Sequence, residues 1–175
     1  MEKNTYNTKK LALLAVLGAQ ALALSFLENF IPPMPGLPPG AKPGLANIVT
    51  MFTASTLGFW QAIYITVIKA VFAGLTRGPT ALFMSLSGGV LSTIVMYALL
   101  NLKTKPFGII GISISSAIAH NLGQLVTAMF ITGTRLIIGY APLLSIFSLF
   151  TGLVTGAILK AVIPVLKKQS KYFMS

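Results

Sequence analysis

The fold this sequence predicts is an all-α integral membrane protein of six transmembrane helices, and three observations predict it. Hydrophobic residues make up 55% of the 175-residue chain and charged residues only 9%, with a mean hydropathy of +0.85. A soluble domain carries about a quarter charged residues. So few charges cannot cover a water-facing surface, so the solvent is largely lipid. Long stretches carry no charge at all, and the basic residues sit mainly between those stretches. The length suits one membrane domain.

Leu11–Leu27 is uncharged and predicts a first helix over about residues 10–28. With MEKNTYNTKK before it, this start superficially resembles a signal peptide. The apolar run is longer than an ordinary signal core, and no clear A-x-A site followed by a soluble domain comes after it. It reads as a permanent span. Residues 29–43 then form a loop, and the stretch "NFIPPMPGLPPGAKPG" from 29 to 44 holds six of the ten prolines. Proline fixes φ and lacks an N–H, so no regular helix forms there. Two readings stand: a stiff connector at the headgroups, or a lid over an outward cavity, since long loops in compact domains are often lids.

Pro43 to Thr76 is interrupted only by Lys69. It fits one long tilted helix or two short ones, over about 44–58 and 60–76, turning at Gly58 and Trp60. Three further charge-free runs, Gly78–Leu102, Pro106–Thr134 and Leu136–Leu159, predict helices over about 79–101, 107–132 and 140–166. Each can cross a hydrocarbon core, which takes about 20 residues. The positive-inside rule selects six spans. With both termini inside, Lys3, Lys9, Lys10, Lys103, Lys105, Lys160, Lys167, Lys168 and Lys171 are cytoplasmic, and only Lys42, Arg77 and Arg135 lie outside. Five spans would reverse that bias. Two helices in so short a stretch also allow one of them to begin inside the protein rather than at the lipid boundary.

The net charge of +11 does not indicate a nucleic-acid partner. Such a binder concentrates its basic residues on a soluble face, whereas these flank apolar runs at the bilayer. The absence of cysteine excludes disulfides and thiolate chemistry. No GxxxxGK[ST] loop is present, so the chain is not its own ATPase. There is no aspartate and there are only two glutamates, so no clustered carboxylates can hold the magnesium of a prenyl-diphosphate synthase. The residues imply no catalytic set, metal or cofactor.

Small residues recur at helix-packing spacing: Ala15, Ala19 and Ala23 in the first helix, Gly111, Ser115, Ala119 and Gly123 in the fifth, and Ser148, Gly152 and Gly156 in the sixth. Such stripes let helices approach closely. The last two sets read as internal packing. The first begins at the cytoplasmic edge after Lys10, where a partner membrane protein could dock.

Polar residues inside apolar runs mark functional candidates. The lone histidine, His120, lies beside Asn121 in "SAIAHNLGQL", and Ser116, His120 and Gln124 share one helix face by their spacing of four. Lys69 lies in the third helix, Asn47 begins the second, and Arg77 caps the outer end of the third. These residues are expected to converge on the outer half of the bundle as a cavity holding a small-molecule ligand. The plainer readings are an interhelical hydrogen bond for His120, and snorkelling or pairing with Glu28 for Lys69.

The blocks "GAKPGLANIVTM" (40–51), "RGPTALFMSLSGGVLS" (77–92) and "AHNLGQL" (119–125) resemble those of the Gx transporter family, labelled heptaprenyl diphosphate synthase component I. That family is similar to the S components, the substrate-binding membrane subunits, of energy-coupling factor (ECF) transporters. The resemblance implies an S-component-like six-helix bundle in the cell membrane with cytoplasmic termini. It also implies an outward pocket under the loop between helices one and two, and docking of Ala15 and Ala19 on a transmembrane coupling subunit that joins two ATPases. Two residues depart from the expected pattern: Pro43 where Leu is expected, and Arg77 where a small residue precedes "GPT". On this resemblance the chain is a non-enzymatic solute-binding subunit. Asn47, Lys69, Arg77, His120, Asn121 and Gln124 are its candidate ligand contacts, and the solute is quinone-, isoprenoid- or flavin-related. The alternative is a non-catalytic accessory protein of heptaprenyl diphosphate synthesis or quinone-linked electron transfer.

Overall fold

The computed structural model describes residues 2–30, 44–102 and 107–174. Most of the expected loop over 29–43 lies outside the described residues, as does Pro43. The described chain is helical: α1 (Glu2–Leu27), a 3-10 turn (Glu28–Phe30), α2 (Asn47–Thr56), α3 (Phe59–Arg77), α4 (Pro79–Leu100), α5 (Ile109–Thr132), a 3-10 segment (Arg135–Tyr140) and α6 (Ala141–Met174). α6 continues past residue 166, its expected end, because Lys and Gln sustain helix as well as most apolar residues do.

Among the described residues, five helical stretches are long and apolar enough to cross a membrane: Thr8–Phe30, Phe59–Arg77, Pro79–Leu100, Ile109–Thr132 and Arg135–Leu166. The chain is a multi-pass membrane protein. The second of the six expected helices is α2, which is shorter than these five. Its ten residues rise about 15 Å, half of a hydrocarbon core of about 30 Å. Seven of them, Ile48 to Ala54, are buried, so this short helix lies among its neighbours instead of in lipid. It packs against α1, α3, α4 and α6. At its far end the chain turns at Gly58, whose φ of 105° is one that L side chains rarely adopt.

The helices alternate in direction. Near the start of α1, Gln61 of α3 can accept from Lys10 Nζ at 3.1 Å once its amide is turned. Phe59 at the start of α3 meets Tyr97 at the end of α4, with ring centroids 5.2 Å apart. At the opposite face Phe26 of α1 meets Phe72 of α3 at 6.5 Å. The ends of α1, α3 and α5 and the starts of α4 and α6 therefore share one face. The apolar core gathers around Phe52, Leu13, Leu17, Ile65 and Met96, all nearly inaccessible.

Candidate functional site

Close contact between α4, α5 and α6 shapes the site from below. A Cβ on Gly123 would lie 2.8 Å from Gly88 Cα, and one on Gly88 would lie 2.6 Å from the His120 carbonyl oxygen. A Cβ on Gly152 would lie 2.5 Å from Ile114 Cα, and one on Gly156 2.9 Å from Ile110 Cα. Small residues at these crossings let the backbones touch. Ser87 and Thr127 add a hydrogen bond of 2.6 Å across α4 and α5, and Ser113 and Thr155 one of 2.9 Å across α5 and α6. The three helices are thus closed together from mid-depth towards the end of α4.

Above that closure they part. A cavity of about 350 Å³ opens between Thr80 and Met84 of α4, Gln124 and Ala128 of α5, Tyr140 of the 3-10 segment and Leu144 of α6. Its wall also includes Leu125, Ile131, Thr132 and Ile137, and among the described residues no charged one. The 3-10 segment has no buried residue and lies across the top of α5 and α6. Gly133, in the left-handed region at φ 67°, ends α5 and turns the chain into it.

The structure separates the six residues singled out from the sequence. Lys69 is buried and donates to Asn47 Oδ1 at 2.8 Å and to Thr50 Oγ1 at 3.4 Å. Asn47 also borders a narrow polar crevice with Ser113, Ser116 and Thr155. Buried Glu28 accepts a hydrogen bond from Leu45 N, and so joins the end of α1 to the chain entering α2. Its charge acts on both Lys69 and Arg77, and that of Lys69 acts on His120. Arg77 itself is exposed at the end of α3.

His120 and Gln124 pair instead with each other. Gln124 Nε2 lies 3.1 Å from His120 Nε2. With the amide donating, the imidazole proton sits on Nδ1. That nitrogen is buried, and among the described residues no group meets it with normal hydrogen-bond geometry, although the Gly88 backbone lies close to the ring. Asn121 turns away from both and donates to Ser148 Oγ of α6 at 2.7 Å. Of the six, only Gln124 borders the large cavity. Thr80, Met84, Thr132 and Tyr140 border it too, and sequence reasoning did not single them out. Thr80 and Met84 do lie inside the block "RGPTALFMSLSGGVLS", but nothing local marks Tyr140. Ala15 and Ala19 are exposed on α1, whereas Gly18 beside them is buried.

The family model for heptaprenyl diphosphate synthase component I matches residues 17–162, the greater part of the chain. The chain belongs to that family. The S component of a bacterial ECF transporter is similar to it in structure, with a TM-score of 0.72 and 21% sequence identity, over 93% of this chain and 97% of the other. At that identity the likeness is one of fold. No curated protein matches the chain in sequence. Among the described residues of this family member, no group of three His, Cys, Asp or Glu comes together that could hold a metal ion.

Proposed function

We propose that the chain is the solute-binding membrane subunit of an ECF-type importer in the cell membrane, with ATP hydrolysis supplied by partner subunits. The observation that carries this reading is a cavity closed below by the Gly88–Gly123 crossing, on a fold similar to that of an S component. A cavity open on one side and sealed on the other binds a solute without conducting it. Net transport then requires the subunit to change its exposure to the two sides, driven by a partner. Gln124 is the polar contact of the solute, and His120 holds its amide in place. Lys69, Asn47 and Glu28 tie the half-length α2 to α1 and α3.

In this reading Ala15 and Ala19 form the face that meets the transmembrane coupling subunit. Their small side chains leave a shallow exposed strip on α1, which allows close helix approach. The basic residues flanking the spans support a reading with both termini in the cytoplasm.

The test is co-purification from native membranes. The tagged chain is expected to bring down a membrane coupling subunit and ATPases in stoichiometric amounts. Recovery of a soluble prenyl-diphosphate synthase or a redox complex in their place would overturn the importer reading in favour of an accessory role.

A further inference from the structure

We propose that the cavity between α4, α5 and the 3-10 segment selects an uncharged, mainly apolar solute of one or two fused rings that carries a hydroxyl or N–H group. This deepens the importer reading and rests on it. Three observations lead to the chemical class.

The first is the wall. Met84, Leu125, Ala128, Ile131, Ile137 and Leu144 provide most of the lining, and among the described residues no Lys, Arg, Asp, Glu or His belongs to it. A carboxylate or phosphate entering such a space loses its hydration without gaining a counter-ion, which is costly. The cations nearby among the described residues do not repair this. Lys69 is held by Asn47 and Thr50, Arg77 is exposed at the end of α3, and Arg135 is exposed at the start of the 3-10 segment.

The second is size. At about 350 Å³ the cavity is at the lower end of the roughly 300–1,000 Å³ of small-molecule sites. A compact ring system fits that space; a dinucleotide or a long prenyl chain does not.

The third is the polar hand. One N–H of Gln124 is used on His120 Nε2, and the pair leaves the amide oxygen for another donor. A hydroxyl or N–H on the solute can donate to it. His120 acts here as a positioning residue: its Nε2 holds the amide in one orientation, so that the oxygen rather than the NH₂ group is offered.

The test uses the full-length chain in lipid nanodiscs and two probes with the same rings, 1-naphthol and 1-naphthoate. The phenolic hydroxyl stays protonated at neutral pH, whereas the carboxylate does not. 1-Naphthol is expected to bind saturably, with 1-naphthoate about a hundredfold weaker. Gln124→Ala is expected to weaken naphthol binding about fivefold by removing one hydrogen bond. Ala128→Phe fills the cavity and is expected to abolish saturable binding. Its folding is checked by thermal unfolding, and the charge comparison on the wild-type chain decides the matter if that variant does not fold. Binding of naphthoate equal to or tighter than naphthol would overturn the proposal, as would absence of saturable naphthol binding or identical binding by wild type and folded Ala128→Phe. The importer reading fails separately. Naphthoate-selective binding in a chain that still recovers the ATPases ends the neutral-solute reading alone. Naphthol binding without those partners ends the importer reading alone.

Discussion

The two halves of the bundle are held together in different ways. On one side, α4, α5 and α6 touch through backbone at Gly88, Gly123, Gly152 and Gly156, and the space they leave is apolar. On the other, α1, α2 and α3 are joined through side chains: Glu28 to Leu45, and Lys69 to Asn47 and Thr50. A half-length helix explains the contrast. Both ends of a full span reach water or headgroups, but α2 starts within the bundle, so its first turn needs polar partners from neighbouring helices. The long helices satisfy their own backbones and can rely on close packing. The polar half therefore resists being opened, and the glycine half can leave a cavity without exposing unpaired groups.

The sharpest way to break this comparison is to add bulk at a backbone contact. Gly152→Val places carbon against Ile114 Cα, where no flexible side chain can yield. Overpacking of this kind costs about 1–3 kcal/mol or more. We expect the variant to lose most of its monodisperse protein in size-exclusion chromatography. Normal recovery and unchanged thermal unfolding would show that α5 and α6 are free to separate.

Next comes Lys69→Met, which leaves Asn47 and Thr50 without their shared donor. Unpaired buried groups cost about 1–3 kcal/mol, so the unfolding temperature is expected to fall clearly. Binding of 1-naphthol, measured below that temperature, sharpens the contrast. A tenfold loss of affinity with stability intact would move Lys69 from the scaffold into the solute site.

A smaller effect is expected for Asn121→Ala. Ser148 keeps its own hydrogen bond to the Leu144 carbonyl at 2.6 Å, so only the α5–α6 bond disappears. Interhelical hydrogen bonds in membranes average about 0.6 kcal/mol, and unfolding in a graded denaturant series should register a loss of that order. A loss several times larger would make Asn121 a keystone of the glycine half. The smallest effect on the isolated chain belongs to Ala19→Leu, on the exposed strip of α1. Its stability should stay within about 0.5 kcal/mol, while recovery of the coupling subunit falls. Unchanged recovery would mean that the strip meets only lipid.

Much of the fold was legible along the chain, and less of the site. The long charge-free runs mark the five spanning helices, because hydropathy is summed over one local window and lipid reads it directly. The break at Gly58 was legible for the same local reason. The depth of α2 was not, since a short apolar run looks alike whether it faces lipid or protein. His120 and Asn121 show the limit at the site. As neighbours in sequence they stand about 100° apart around the helix, yet only the packing of α5 assigns one to the α4 crossing and the other to Ser148.

From the sequence alone came the solvent, the long helices, the family and the polar residues that a membrane interior does not accept without purpose. Only the tertiary structure decided which of those polar groups satisfy one another and which border empty space. The physical reason is that a cavity is a deficit of packing between segments distant along the chain. Thr80, Gln124, Tyr140 and Leu144 meet around one because α4, α5 and the 3-10 segment part above the Gly88–Gly123 contact. No local window of residues contains that distance.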